Sequence, residues 1–156
     1  TYDPPSGWRF DSAASDRCTL VSPRRASATI EIRIVAPLRG EISGSRFLQF
    51  CQGFLPRNVA VREAAWGKAA FTLCRSPGAE ARFEGTLGGV QHSFTCSVYA
   101  FNDYWLVFLC RAESAEFAQV RAELLQSQCS WAWSDESRLR PAPVSVGPPP
   151  PGTPPP

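Results

Sequence analysis

The sequence contains no methionine, one histidine and one lysine. Each shortage excludes something. With His92 alone, the His-rich and mixed Cys/His spacings that hold zinc cannot be built, and no CxxC pair occurs. No GxSxG, P-loop, GxGxxG or HExxH stretch is present, so no motif assigns a nucleophile, a phosphate cradle or a metal hydrolase. No cofactor and no metal are expected. No apolar run approaches 18 residues, so no helical membrane span is expected. The formal net charge is +2. The basic residues are almost all arginine, which reads as compositional bias, and nucleic acid is not an expected partner.

What the chain does have is a strongly patterned stretch from Gln91 to Cys129. Residues 91–101 alternate: His92, Phe94, Cys96, Val98 and Ala100 point one way, and Gln91, Ser93, Thr95, Ser97 and Tyr99 the other. Period-two alternation marks a strand with two unlike faces. The next run, 104–111, is apolar on both faces, as in a strand covered on both sides. Asn102-Asp103 between them suits a tight turn. A helix over 114–128 follows, with Ser114 as N-cap and Phe117, Val120 and Leu124 on one side. The rest of the chain reads as elements packed on this unit. Strands are expected at 8–10, 18–21, 28–35, 59–64, 68–75 and 79–87, and a short helix capped by Ser43 or Ser45 at 46–55. Turns are expected at Trp66-Gly67, Ser76-Pro77-Gly78 and Gly88-Gly89. Pairing outward from Gly88-Gly89 sets Phe83 opposite Phe94. The expected fold is α+β: a mainly antiparallel sheet of about 6–8 strands, a short helix after the third, and a longer C-terminal helix packed on it.

The expected domain is 1–133. Residues 134–156 read as a Pro-rich tail or linker, with polyproline II at 148–151 and 154–156. The six cysteines (Cys18, Cys51, Cys74, Cys96, Cys110 and Cys129) are even in number, which favours disulfides in an oxidising compartment over buried free thiols. Fifteen pairings are possible. Cys96 and Cys110 would face each other across the hairpin if its loop holds three residues; with two, Cys110 faces Thr95. The opening at Thr1 reads as a processed chain, exported to a periplasmic or secreted location, with a lipoprotein-type tether possible ahead of it.

An opening Pro5-Ser-Gly-Trp8, the Ile30–Val35 strand, the early short helix, the hairpin Phe94–Cys110 and a final helix with Phe117, Val120 and Leu124 together resemble the PsbP-like fold. That fold is shared by the extrinsic photosystem II protein, a Ran-binding nuclear import factor and bacterial periplasmic and chaperone families. The resemblance spans Tyr2–Trp133 and implies a non-catalytic domain that binds or assembles with another protein.

Three functional readings follow. The first is an exported accessory domain that binds a protein or apolar ligand. Its candidate surface is an aromatic sheet face of Tyr99, Phe101, Trp105 and Val107, exposed if both helices cover the other face, with Trp131 and Trp133 as its cover or extension. The second is a cytoplasmic export chaperone of PsbP-like shape. The third is a cysteine-nucleophile enzyme, for which His92 would have to pair with a cysteine other than Cys96, about 13 Å along the same strand. Glu80, Arg82 and Glu84 read as a solvated charged face. Arg24, Arg25, Arg33, Arg39 and Arg46 read as surface charge, or as a basic patch around the first helix.

Overall fold

A computed structural model describes residues 1–25 and 27–148. The polyproline reading of the last residues, from 149 onward, lies outside them.

The hairpin at the centre forms as its pattern requires. Strands β6 (Val90–Phe101) and β7 (Tyr104–Glu113) pair antiparallel, with Phe101 opposite Tyr104 across a two-residue loop. Asn102 takes φ 50° there, a left-handed conformation that asparagine tolerates. Strand β5 (Ser76–Leu87) joins β6 through Gly88-Gly89, both at positive φ, and Phe83 does face Phe94. On the other side β7 pairs with β3 (Thr29–Val35), then β2 (Arg17–Val21), then β1 (Arg9–Ala13). Strand β4 (Ala60–Leu73) closes the far edge, so the order is β1-β2-β3-β7-β6-β5-β4, all antiparallel.

The two helices cover opposite faces. Helix α1 (Gly44–Gln52) is capped by the Ser43 hydroxyl, which accepts from the Arg46 amide at 3.2 Å. It lays Phe47 and Cys51 on Phe83, Phe94, Cys96, Trp105 and Val107. Helix α2 (Phe117–Gln128) lays Val120 and Leu124 on the other face, against Ile30, Tyr99, Phe101 and Phe108. β7, apolar on both sides, therefore contributes Leu106, Phe108 and Cys110 to one core and Trp105, Val107 and Leu109 to the other. α2 starts three residues later than its expected cap. Ser114 is drawn off, its hydroxyl 2.8 Å from Ser93 and donating to Glu84 at 3.1 Å.

Three local readings are corrected. β4 runs unbroken and in regular register through Trp66-Gly67, with its register shifts on either side, between Val61 and Glu63 and between Lys68 and Thr72. The β4–β5 turn falls at Cys74-Arg75, both at positive φ, while Pro77 and Gly78 lie inside β5. The segment after Trp133 is not a free tail over its described part. A 3-10 turn (Glu136–Arg138) leads into β8 (Pro141–Ala142), which pairs with Phe101 and Ala100 at the end of β6. β8 occupies the edge that β5 leaves open, since the β5–β6 register ends at Ala79 opposite Val98. Beyond it, the Val144 amide donates to Pro77 at 3.3 Å and the Gly147 amide to Ile42 at 2.8 Å. Val144 and Val146 pack on the α1-side core. Among the described residues, no helix is long and apolar enough to cross a membrane.

Candidate functional site

The expected aromatic face is not a surface. Tyr99, Phe101, Trp105 and Val107 are each 5 % exposed or less. Nor do they share a face. With a two-residue loop, odd positions of β6 stand beside even positions of β7: Tyr99 faces Leu106, and Val98 faces Val107. Tyr99 and Phe101 thus lie under α2, and Trp105 and Val107 under α1. Trp131 and Trp133 are half-buried and pack against the α2-side core. Their rings meet Phe108 at 5.7 Å and Phe101 at 5.4 Å.

Trp131 also has an open side. At the β1–β2 end of the sheet, Thr1, Tyr2 and Trp131 line a hollow together with residues of β1, β2 and β3. Tyr2, Phe10, Cys18, Ile32, Ile34 and Trp131 bound an apolar hollow of about 290 Å³ there, with Asp16 and Arg17 at its rim. The Tyr2 hydroxyl is fixed 2.6 Å from Ser127 Oγ on α2. Burial pushes its pKa up to about 12, so it remains a neutral hydrogen-bonding group. Phe10 stands opposite Leu20, on the side of the sheet that carries this hollow, and is 57 % exposed. β1 itself is exposed along its whole length, and as the terminal strand it leaves one row of backbone groups unpaired. An apolar hollow beside a free strand edge is the geometry that takes an extended peptide: backbone groups extend the ladder while one side chain fills the hollow. Phe10, Ile34 and Tyr2 carry no sequence pattern linking them to Trp131, so the hollow is invisible before the fold is known.

All six cysteines are free thiols in the structure. Cys96 and Cys110 lie on opposite faces, because the two-residue loop sets Cys110 against Thr95. Cys51 and Cys96, both wholly buried, meet under α1. Burial raises the pKa of Cys18, Cys74 and Cys96, and raises that of Cys110 to about 12. A thiol shifted upward is poorly nucleophilic near neutral pH. Cys129 alone is exposed. In the native protein at neutral pH, Cys129 is expected to alkylate at least about tenfold faster than Cys51, Cys96 or Cys110, as read by mass mapping of modified peptides. His92 is buried and stacked on Phe94, with Nδ1 3.0 Å from the Val90 carbonyl oxygen. No group of three His, Cys, Asp or Glu side chains fit to hold a metal occurs among the described residues.

The charged face expected on β5 is partly buried instead. Glu80 is 2 % exposed and accepts from Ser97 Oγ, Arg82 Nε and Arg121 Nη1 at 2.8, 2.9 and 2.8 Å. The expected basic patch is dispersed. Arg25 pairs with Glu116 at the N-cap of α2 and with Glu123 on it, while Arg46 donates to the backbone carbonyls of Arg39 and Glu41.

No family model and no curated protein matches this chain. Solved structures do. LpqN of Mycobacterium tuberculosis, described as involved in cell envelope biogenesis, aligns over 82 % of this chain and 79 % of its own, with a TM-score of 0.58 and 15 % identity. A protein from Bacteroides thetaiotaomicron aligns over 87 % of this chain with a TM-score of 0.52 and 9 % identity. This chain covers 45 % of that protein's length. At these identities the likeness is one of fold. Neither description names an enzymatic activity.

Proposed function

We propose that this chain is a non-catalytic, exported accessory domain of a cell envelope, of PsbP-like shape, which binds an extended apolar segment of a protein partner at the β1 edge. The observation that carries the reading is the apolar hollow of Tyr2, Phe10, Ile34 and Trp131 lying beside an unpaired, fully exposed edge strand. The fold it shares with an envelope-biogenesis protein supports the compartment. The test is site-specific photo-crosslinking in cells. A benzophenone side chain at Phe10 should give one discrete adduct, and Ile34→Asp should reduce it about tenfold or more by placing a charge in an apolar site. The same probe at Ala65, exposed on the opposite edge strand, should give none. Equal adducts at both edges, or none at Phe10, would overturn the reading.

A second reading, the cytoplasmic export chaperone, is favoured by the six free thiols and would use the same hollow. Thiol counting on protein isolated without reductant separates the two. In an oxidising compartment Cys51 and Cys96 are the pair placed to bridge, leaving four free thiols. Six free thiols would favour the chaperone.

A further inference from the structure

On the α1 side of the sheet lies a second hollow, of about 310 Å³, with a different chemistry. It opens between the loop that follows α1 and the β3–β7–β6 surface. Phe54, Leu55, Phe94 and Leu109 supply apolar wall, and Arg33, Arg57 and Arg111 the charge. Glu31 is the one carboxylate in the lining, and it is already engaged by Arg33 at 2.7 Å. Arg33 is further held with its guanidinium 5.2 Å from the centre of the Phe54 ring. Arg57 and Arg111 have no ion pair among the described residues.

Arg111 is the telling residue. It is only partly exposed, and its Nε is closed off from solvent without an acceptor. A shielded guanidinium donor with nothing to bond to is costly, and natural structures rarely leave one so. Burial already lowers the pKa of this side chain, which reports the same cost from another side. An oxyanion in the hollow would give Nε its missing acceptor, with Arg57 in the same lining and Glu31 as the one nearby carboxylate that acts on Arg111. Guanidinium forks suit both phosphate and carboxylate oxygens.

We propose that this hollow binds a small organic oxyanion, phosphate- or carboxylate-headed, with its charged head on Arg111 and Arg57 and its apolar body against Phe54, Phe94 and Leu109. The site lies on the sheet face opposite the Phe10 hollow and acts independently of it.

The full chain is titrated by NMR with phenyl phosphate, benzoate, inorganic phosphate and phenol. Phenyl phosphate or benzoate is expected to shift resonances of Arg111, Phe94 and Leu109 saturably, and the tighter of the two assigns the head group. Inorganic phosphate should bind more weakly, and phenol should not compete. Arg111→Met should weaken binding about tenfold or more, the scale of a lost charge-assisted hydrogen bond. Arg57→Gln, on an exposed loop where folding is not at stake, should weaken it severalfold. Salt should weaken it further. Thermal melting supplies a readout that a structural role would move the other way. Arg111→Met should melt at or above the native midpoint, since it removes a charge that burial disfavours. No saturable shift with either organic anion, native-like binding by both variants, or a midpoint several degrees lower in Arg111→Met would each overturn the site. Inorganic phosphate binding as tightly as phenyl phosphate would overturn the apolar-body assignment.

Discussion

Arg121→Met is expected to lose about 3–5 kcal/mol of stability, a large share of the total for a domain of this size. The reason is what remains behind. Glu80 is 2 % exposed, and Arg121 reaches it from α2 with a guanidinium only 18 % exposed itself. Of the other two donors, Ser97 is neutral, and Arg82 sits two residues along the same strand with half its side chain in water. Removing Arg121 leaves a carboxylate cut off from water, with the half-exposed Arg82 as its one remaining charged donor. It also removes the polar tie between α2 and the sheet. Urea unfolding with an unchanged slope would measure the loss directly. The double variant Glu80→Gln/Arg121→Met should recover part of it, because the stranded charge is gone. The contrast is the pair Arg138–Asp135, at 3.2 Å but with side chains 86 % and 50 % exposed. Arg138→Ala should change stability by about 0.5 kcal/mol or less, since water replaces an exposed pair at little cost. Equal effects at the two sites would mean that Glu80 is hydrated in solution.

Local signals made much of this fold legible, and the failures have a common physical source. Gly88-Gly89 fixed the β5–β6 register, the alternation of residues 91–101 gave β6 its two faces, and Ser43, one of the two caps expected for α1, is the one used. What local patterns could not weigh was contact from afar. Pro77-Gly78 has strong turn chemistry, but the Tyr99 ring lies over Gly78, where a Cβ would come within 2.5 Å of it. The glycine serves close packing inside a strand. Trp66-Gly67 looked like a break; Trp66 instead lies against Gly44, whose Cβ would come within 2.2 Å of the indole nitrogen. Trp66 thus ties β4 to the start of α1. Glu80 alternated like a solvated residue because its partner, Arg121, is 41 positions away. The candidate site was the least legible part. Its residues come from the N-terminal segment, β1, β2, β3 and the chain after α2, and only Cys18 and Trp131 had been singled out, each for another reason. Ser134–Gly147 looked structureless because a two-residue strand has no period to detect.

The sharpest consequence of the hairpin's parity is at Trp105. Read as the same face as Tyr99, it belongs to a binding surface; read through the two-residue loop, it belongs to the α1-side core. The two assignments predict opposite results for Trp105→Ala. An interface tryptophan costs binding and little stability. A core tryptophan costs about 3–5 kcal/mol of stability, from lost burial and the cavity left behind. The second outcome is expected. Trp105 is 5 % exposed, faces Val35 across the β3–β7 pair, and meets Phe50 edge-on at 5.3 Å. Phe50 in turn stands edge-on to Phe54 at 5.1 Å. Truncating Trp105 therefore removes the support of the α1 aromatic row, on a face where α1 cannot settle inward without breaking its contacts on Phe83 and Phe94. Adduct formation by the benzophenone at position 10 should survive the change wherever the domain stays folded, because that side chain lies on the other face. Phe10→Asp is the mirror experiment: it replaces a side chain already mostly in water, so stability should move by about 0.5 kcal/mol or less while partner capture is lost. A Trp105→Ala protein as stable as the native one would return Trp105 to the surface and break the three-layer arrangement on which both hollows depend.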